Sequence, residues 1–394
     1  MITVSQAQAK IADLLTVTGT EHVALADASE RVLRGDIVAQ RDQPPFAASA
    51  MDGYAIRKQD LQTGAKLDVI GEIAAGHSTT LTVGSGQAVR IFTGGALPDG
   101  ADYVLIQEDA EREGDTVTIL EGFDTSAYVR PSGSDFPKGF KIAGPKRINA
   151  SDMALLASMN SETVEVSTRP VVAVIPTGDE LVWPGEVPRS DQIIASNNFG
   201  LKGMLEAEGA DVRLLPIASD NKDSLKQVFK LTKGADLIVT LGGASVGDHD
   251  LVQDVAKGEG LDLSFYKLAM RPGKPLMAGL FGKTPMVGLP GNPVSSMVCA
   301  HIFLRPAVRA MLGLGYHSDP VFEAKLESEI GPNGPREHYM RAIVQPENGV
   351  WTCRPNERQD SSLLTVLTQS NALMIRPPHD PALKAGTVVK FTHL

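Results

Sequence analysis

The chain has 394 residues, of which 42% are hydrophobic and 21% charged, an ordinary balance for a soluble globular protein with length for about two to four domains. A formal net charge of −10 argues against wholesale nucleic-acid binding, so an anionic ligand must be held by a local basic site. Only Cys299 and Cys353 occur, too few for a cysteine metal cluster or a disulfide framework and in keeping with a reducing cytoplasm. Met1 to Leu15 lacks the basic start and apolar core of a signal peptide, and no stretch approaches the ~20 apolar residues of a membrane span. A cytoplasmic location is expected.

In chain order, an amphipathic helix is predicted from Ser5 to Leu15, capped by Ser5, and another around Asp27 to Val32. Gln43-Pro44-Pro45-Phe46 breaks that pattern. Short alternating runs follow, at Lys66 to Ile73, Gly86 to Ile91 and Thr116 to Leu120, punctuated by glycines. A helix opened by Ser151-Asp152 runs to about Met159 and is expected to pack back on the N-terminal helices. The β run between them then reads as an insertion.

From Val171 the texture changes to buried strands alternating with helices. Strands are predicted at Val171 to Pro176, Asp211 to Ile217, Leu237 to Leu241 and Thr284 to Leu289. Helices are predicted at Asn197 to Glu208, Lys222 to Lys233, Asp248 to Lys257 and Val294 to Met311. Such alternation predicts a doubly wound, mostly parallel sheet. Strand patterning returns at Val321 to Leu326, Tyr339 to Val344, Val350 to Arg354, Ala372 to Arg376 and Thr387 to Phe391. The expected domains are 1–45 with 138–168 (split, helical), 46–137 (inserted β), 169–318 (α/β) and 319–394 (small β).

In an open parallel sheet, ligands bind beyond the carboxyl ends of the strands. There the sequence places Pro176-Thr177-Gly178-Asp179-Glu180, the run Gly242 to Asp250, and Pro290-Gly291-Asn292-Pro293. Glycines such as Gly242 and Gly243 let backbone amides approach a ligand, and Ser245 is a hydrogen-bond donor to it. No GxxxxGK[ST] or GxGxxG occurs. The carboxylates Asp179, Glu180, Asp248 and Asp250 would repel a bare phosphate and make sense with Mg²⁺ between them and the phosphate, and Asp220, just after the strand ending at Ile217, is a candidate for the same cluster. Taken singly, Asp220 and Asp248 read equally well as helix caps and Asp250 as a solvated first-turn acid. Lys267, Arg271 and Lys274 stand four and three residues apart in a segment ending Arg271-Pro272-Gly273-Lys274-Pro275. Isolated lysines usually serve solubility, but this turn-bound set favours an oxoanion. A second polar group, Asp52, Thr93, Arg130 and Asp135, falls in turns at the edges of the inserted segment.

The segments PPFAASAMDGYAI, IFTGGALPDGADYVLIQED, PTGDEL, SNN, TLGGASVGDHD, KLAMRPGKP and GLPGNPVSS together resemble the molybdopterin molybdenumtransferases, and the architecture is similar to the E domain of gephyrin. The resemblance spans nearly the whole chain. It implies four domains and a homodimer whose site lies between one subunit's α/β domain and the other's second domain. The implied reaction takes adenylylated molybdopterin and molybdate to the molybdenum cofactor and AMP, with Mg²⁺. By this resemblance Asp52, Thr93, Arg130, Asp135, Glu180, Asp220, Asp250, Lys267 and Lys274 occupy functional positions, with Glu180, Asp220 and Asp250 around the metal. Pro290 and Pro293 shape a loop, and Arg341 with Ser361 (or Ser362) contacts the oxoanion. Arg271 stands where several relatives carry Lys, a planar fork replacing a point charge. The upstream molybdopterin-synthesis enzymes are candidate partners. Two other readings stay open: a molybdopterin adenylyltransferase, and a non-enzymatic scaffold of the gephyrin type.

Overall fold

The computed structural model describes residues 1–77, 80–242, 251–347 and 349–394. Six strands make the central sheet: β1 (Val171–Pro176), β2 (Asp211–Leu214), β3 (Leu237–Leu241), β4 (Leu261–Tyr266), β5 (Met277–Phe281) and β6 (Thr284–Leu289), in the order β2-β1-β3-β6-β5-β4. β2, β1, β3 and β6 are mutually parallel, and β5 runs antiparallel between β6 and β4. The period of two sorts β1, β3 and β6 onto two cores. Val172, Val174, Leu237, Val239, Val287 and Leu289 face the helices Asn197–Ala207 and Pro293–Cys299, while Ala173, Ile175, Ile238 and Met286 face Leu225, Phe229 and Val252.

The hairpin β4–β5 carries no clear alternation in the sequence, and a register shift between Leu263 and Phe265 explains why. The expected long helix from Val294 to Met311 is continuous but changes pitch. Residues Ala300–Leu304 form a π-helical turn before Arg305–Met311. Pro306 accounts for it, because it lacks an amide donor and its ring crowds the carbonyl one turn earlier.

The N-terminal region departs from the sequence reading in three ways. Helix Val4–Ala12 is capped by Thr3, not Ser5, in a capping box with Gln6. Its buried residues Val4, Ala7 and Ile11 join the core of the central domain, and Ala269 donates its amide to the Ile2 carbonyl. The helix Ala150–Ser158 therefore does not pack on it. Leu156 and Met159 pack instead with Ala28, Leu33, Val164 and Val166. Asp27 to Val32 is not helical: a 3₁₀ turn, Leu25–Asp27, precedes the strand Val32–Leu33, which joins a four-stranded sheet with Thr20–Ala24, Thr163–Ser167 and Lys146–Arg147.

The inserted β unit is entered and left through paired strands. Ile37–Val38 pairs with Lys141–Ile142, and Ala48–Ser49 with Val129–Arg130. Beyond them stands a six-stranded sheet that includes Gly53–Ile56, Lys66–Ile73 and Gln87–Ile91. At the C-terminus, five strands from Phe322–Leu326 to Val388–His393 close on themselves through pairing of Glu337–Glu347 with Ala372–Arg376. The short strand Met270–Arg271, from the central domain, adds to this barrel in parallel with Glu337 and His338. Among the described residues no helix is long and apolar enough to cross a membrane.

Where the helix Asn197–Ala207 ends, Glu208 joins the central domain to the helix Arg305–Met311. Its Oε1 accepts from Arg305 Nε at 2.6 Å and Arg309 Nη2 at 2.7 Å, and its Oε2 accepts from Arg309 Nε at 2.8 Å. Both arginines also bond Asp319, which leads into the barrel. Burial raises the Glu208 pKa, but the bonds from Arg309 and Arg305 outweigh it and hold the carboxyl below its ordinary range. Stability from this group is therefore present at neutral pH and is lost as pH falls through the lowered pKa. Glu208→Ala should destabilise the protein by about 3 kcal/mol at pH 7 through stranded guanidinium charge. Urea unfolding should show that deficit shrinking in acid.

Candidate active site

The parallel strands finish level, since Pro176 is in register with Leu241 and Leu241 with Leu289. Thr177 donates its amide to Leu241 O at 2.9 Å, and Gly242 to Leu289 O at 3.1 Å. The residues that follow, Thr177, Gly242 and Pro290, thus emerge side by side. They open a cleft of about 420 Å³ lined by Thr177, Glu180, Ile193, Asn198, Asn292 and Ser362, among others. Pro293, at the start of its helix, lines it too, whereas Pro290 lies one step back on the strand side. Gly242 has φ +91°, and a Cβ there would lie 2.8 Å from the Thr177 carbonyl, so only glycine lets these loops touch.

Acidic groups gather on one side. Gly178 donates its amide to the Ala218 carbonyl and has φ +142°, and a Cβ there would meet the Glu180 carboxylate at 2.3 Å. Asp220 donates its amide to Asp179 Oδ1 at 3.0 Å. Desolvation and then the Asp179 charge raise the Asp220 carboxyl above its ordinary range. Neither Asp179, Glu180 nor Asp220 has an ion-pair partner among the described residues. Three metal-ligating side chains do not converge among those residues either. Gly243, Ser245 and Asp250 lie outside the described residues.

On the other side a second cleft, of about 300 Å³, shares Asn292 with the first and is lined by Arg271, Lys274, Arg336, Gln359, Asp360 and Ser361. Two elements build it. The turn after Leu268 is closed by Leu268 N–H donating to Lys274 O at 2.9 Å. Gly273 has φ +114° and packs where a Cβ would lie 2.4 Å from Cys299 Sγ. Opposite, Ser361 is fixed by Asn292 Nδ2, which donates to its Oγ at 3.0 Å, and by Val294 N–H, which donates to its carbonyl at 2.9 Å. The Lys267 ammonium lies 4.8 Å from the Tyr266 ring centroid and does not line either cleft.

Arg341 is fully buried beside this cleft. Its Nη2 donates to the Asp360 carbonyl at 3.0 Å, but its Nε and Nη1 have no partner. The Asp360 carboxylate is taken instead by the Ser362 amide and hydroxyl, whose bonds lower its pKa. Burial, and then the Arg271 charge, push the Arg341 guanidinium down to about 10. His338, opposite Arg271 in the ladder, is pushed down to about 3 by burial and by Arg271, Arg341, Arg376 and Arg336. It is therefore neutral at physiological pH.

Asp52, Thr93, Arg130 and Asp135 stand apart from both clefts. Asp52 Oδ1 accepts from the Thr93 amide and hydroxyl, each at 2.7 Å, and these bonds lower its pKa. Arg130 pairs with Ala48 in the connecting ribbon, and the Asp135 amide donates to Gln43 O. The four thus share the root of the inserted sheet without lining either of these two clefts. Sequence reasoning places Thr177 and Asn292 in its ligand-edge loops and Asn198 in the Ser-Asn-Asn segment without giving them a role, and gives none to Arg336 or Gln359. The polar triplet Ser196-Asn197-Asn198 ahead of an amphipathic helix was the available signal for Asn198.

Comparison with known proteins matches this geometry. Residues 2–160 match the MoeA N-terminal region (domain I and II), 173–310 a probable molybdopterin binding domain, and 323–394 the MoeA C-terminal region (domain IV). A molybdopterin molybdenumtransferase of Nostoc sp. is 33% identical over 95% of this chain and 89% of its own. The chain belongs to the molybdopterin molybdenumtransferase family. Molybdopterin molybdenumtransferase 2 of Mycobacterium tuberculosis is likewise 33% identical, over the full length of both chains. The crystal structure of the molybdopterin biosynthesis moeA protein of Pyrococcus horikoshii superposes with a TM-score of 0.84 at 27% identity, covering 100% of each chain. The chain is accordingly an enzyme of the molybdenumtransferase type, with the family's central domain and small C-terminal β domain.

The acidic side yields a test of this family member's electrostatics. A carboxyl with a raised pKa is ionised less readily when folded, so at neutral pH its charge opposes folding. That penalty vanishes as pH falls through the raised value. Asp220→Asn should therefore raise the melting temperature of the ligand-free protein at pH 7, and the gain should disappear near pH 3. A lower melting temperature at pH 7 would contradict the Asp179–Asp220 repulsion.

Proposed function

We propose that this enzyme inserts molybdenum from molybdate into adenylylated molybdopterin, releasing AMP, in molybdenum cofactor biosynthesis. The observation that carries the reading is the buried Arg341 guanidinium, with two donors unpartnered, next to Arg271, Lys274 and Ser361. A buried guanidinium without a carboxylate is costly, and an oxoanion is the ligand that satisfies it. Arg271 and Lys274 supply further positive charge, and Ser361 a hydroxyl donor. The adjoining cleft, with its apolar walls and acidic rim, suits the larger organic part of the substrate.

The acidic side fits a divalent cation, because among the described residues its carboxylates lack a cationic partner, and burial and then the Asp179 charge raise the Asp220 carboxyl above its ordinary range. Glu180 and Asp220, with Asp250, would hold Mg²⁺, whose charge would neutralise the adenylate phosphates. Between the two sides this chain's residues do positioning and electrostatic work. Lys274, Arg271 and Arg341 hold molybdate beside the dithiolene, and Lys267, whose ammonium lies over the Tyr266 ring outside both clefts, contributes through its charge alone. The backbone amides around Gly242 and Gly243, with Ser245, orient the phosphates. A molybdate oxygen attacks the adenylyl phosphorus and the phosphoanhydride bond breaks, leaving the phosphate on molybdopterin. The two dithiolene thiols then bind molybdenum, one molybdate oxygen leaving in AMP and a second leaving as water with the two thiol protons.

Asp52, Thr93, Arg130 and Asp135 are proposed to complete the cleft of a second subunit in a homodimer, which suits their distance from the clefts of their own chain. A cytoplasmic location and contact with the upstream molybdopterin-synthesis enzymes belong to the same proposal. The adenylyltransferase alternative fits less well, because similarity to the family runs through all three regions and not only through residues 173–310. The scaffold alternative leaves the unpaired Arg341 unexplained.

The test is incubation of the purified enzyme with adenylylated molybdopterin, Mg²⁺ and molybdate, with AMP and cofactor formation scored. Lys274→Ala should cut molybdate-dependent AMP release by about 100-fold, the scale of removing one preorganised electrostatic contact. It should also raise the molybdate concentration for half-maximal rate. Absence of molybdate-dependent AMP release from the unaltered enzyme would overturn the assignment.

A further inference from the structure

We propose that Asn198 is a recognition residue that reads the hydrogen-bonding edge of a flat heteroaromatic ring in the larger cleft. The inference rests on the reading of that cleft as the place of the organic substrate. Asn198 is 1% exposed and forms part of the cleft wall. Its side-chain Oδ1 and Nδ2 are both buried, and neither has a hydrogen-bond partner among the described residues. Its neighbour Asn197 is not in that position, since Asn197 Nδ2 donates to the Gly291 carbonyl at 2.7 Å and ties the helix to the next loop.

A buried carboxamide with both ends unpaired forfeits the hydrogen bonds it had in water, a cost an apolar residue of the same size would avoid. An acceptor and a donor side by side on one rigid group match a ring edge that offers the reverse pair. Adenine presents such an edge through its 6-amino group and ring nitrogens, which is how an Asn carboxamide reads adenine in nucleic acids. The aminopyrimidinone edge of a pterin presents one as well. The rest of the wall suits a flat ring: Leu181, Ile193, Ile194, Leu241 and Pro293 supply apolar surface, and about 420 Å³ is room for a bicyclic ring with its linker. The acidic Glu180 at the rim marks the end where phosphate with its counter-cation would leave the cleft.

The two rings of the substrate share this chemistry, and binding measurements separate them. The full-length protein and Asn198→Leu are titrated with AMP, with purine riboside 5′-monophosphate, which lacks the 6-amino group, and with 6-carboxypterin. The inference expects Asn198→Leu to weaken one ring by about tenfold or more. Loss confined to AMP, with purine riboside monophosphate bound equally by both proteins, assigns adenine. Loss confined to the pterin assigns the aminopyrimidinone. Without ligand, Asn198→Leu should melt no lower than the unaltered protein, because two unpaired polar atoms are removed. Asn198→Ser, smaller than the native residue, repeats the comparison should leucine not fit. Equal binding of both rings by native and variant proteins, or a lower melting point with binding unchanged, overturns the inference. If the unaltered protein binds neither ring, the reading of the cleft itself fails.

Discussion

The pairing of Met270–Arg271 with Glu337–His338 is the contact on which the site depends. It takes a two-residue strand from the central domain and adds it to the C-terminal barrel, so that the two units share a ladder at their seam. Arg336 reinforces the seam by donating to the Met270 carbonyl at 3.3 Å. The consequence is electrostatic. Arg271 is carried against Arg341, Arg336 and His338, a concentration of positive charge that an unliganded protein gains nothing by assembling. Backbone hydrogen bonds hold like charges together, and that repulsion is what the proposed oxoanion would relieve.

The acidic side is built by a different constraint. Parallel pairing makes β1, β3 and β6 stop level, and their loops cannot avoid one another. Gly178 and Gly242 relieve the crowding, and the same crowding sets Asp179 against Asp220. Carboxylates without cations thus stand across a shared loop, at Asn292, from cations without carboxylates. In most folded proteins these groups would pair with each other. Here the sheet end and the barrel keep them apart, which is the arrangement on which the proposed binding of substrate and divalent cation rests.

Much of this was legible in the sequence because the central strands are buried on both faces. Val171 to Pro176, Leu237 to Leu241 and Thr284 to Leu289 read as unbroken apolar runs, and the rule that ligands bind at their carboxyl ends then places Glu180, Gly242 and Pro293 at one edge. Less legible were elements whose logic is tertiary. The hairpin β4–β5 hides behind a bulge, the strand Met270–Arg271 is too short for any periodicity, and Asp27 to Val32 runs from the end of a 3₁₀ turn into the two-residue strand Val32–Leu33. The N-terminal helix was visible, but its docking partner was not, because amphipathicity says that a face is buried and not against what. Arg341 came only through the family resemblance, since a lone Arg in an alternating strand carries no local sign that its guanidinium is buried and unpaired. Asn198 carried even less, one amide in a polar triplet.

Buried polar atoms without partners occur both at the clefts and away from them, as at Arg213 Nε and Thr392 Oγ1. Among the described residues, Asn198 and Arg341 lie beside the two clefts, His338 stands between the arginines of the seam, and Thr240 lies next to the last residue of β3. Elsewhere the chain can satisfy such groups: Ser167 donates to Leu312 O, and Thr232 to Phe229 O. The amide and the guanidinium left open beside the two clefts carry a stability cost that the proposed ligands would offset. The cost is tolerable because it is local, and because Glu208 with Arg305 and Arg309 secures the far side of the same domain with fully paired charge. Preorganisation follows from this division: the donors and acceptors are fixed by packing before the substrate arrives, and binding completes them without reorganising the core.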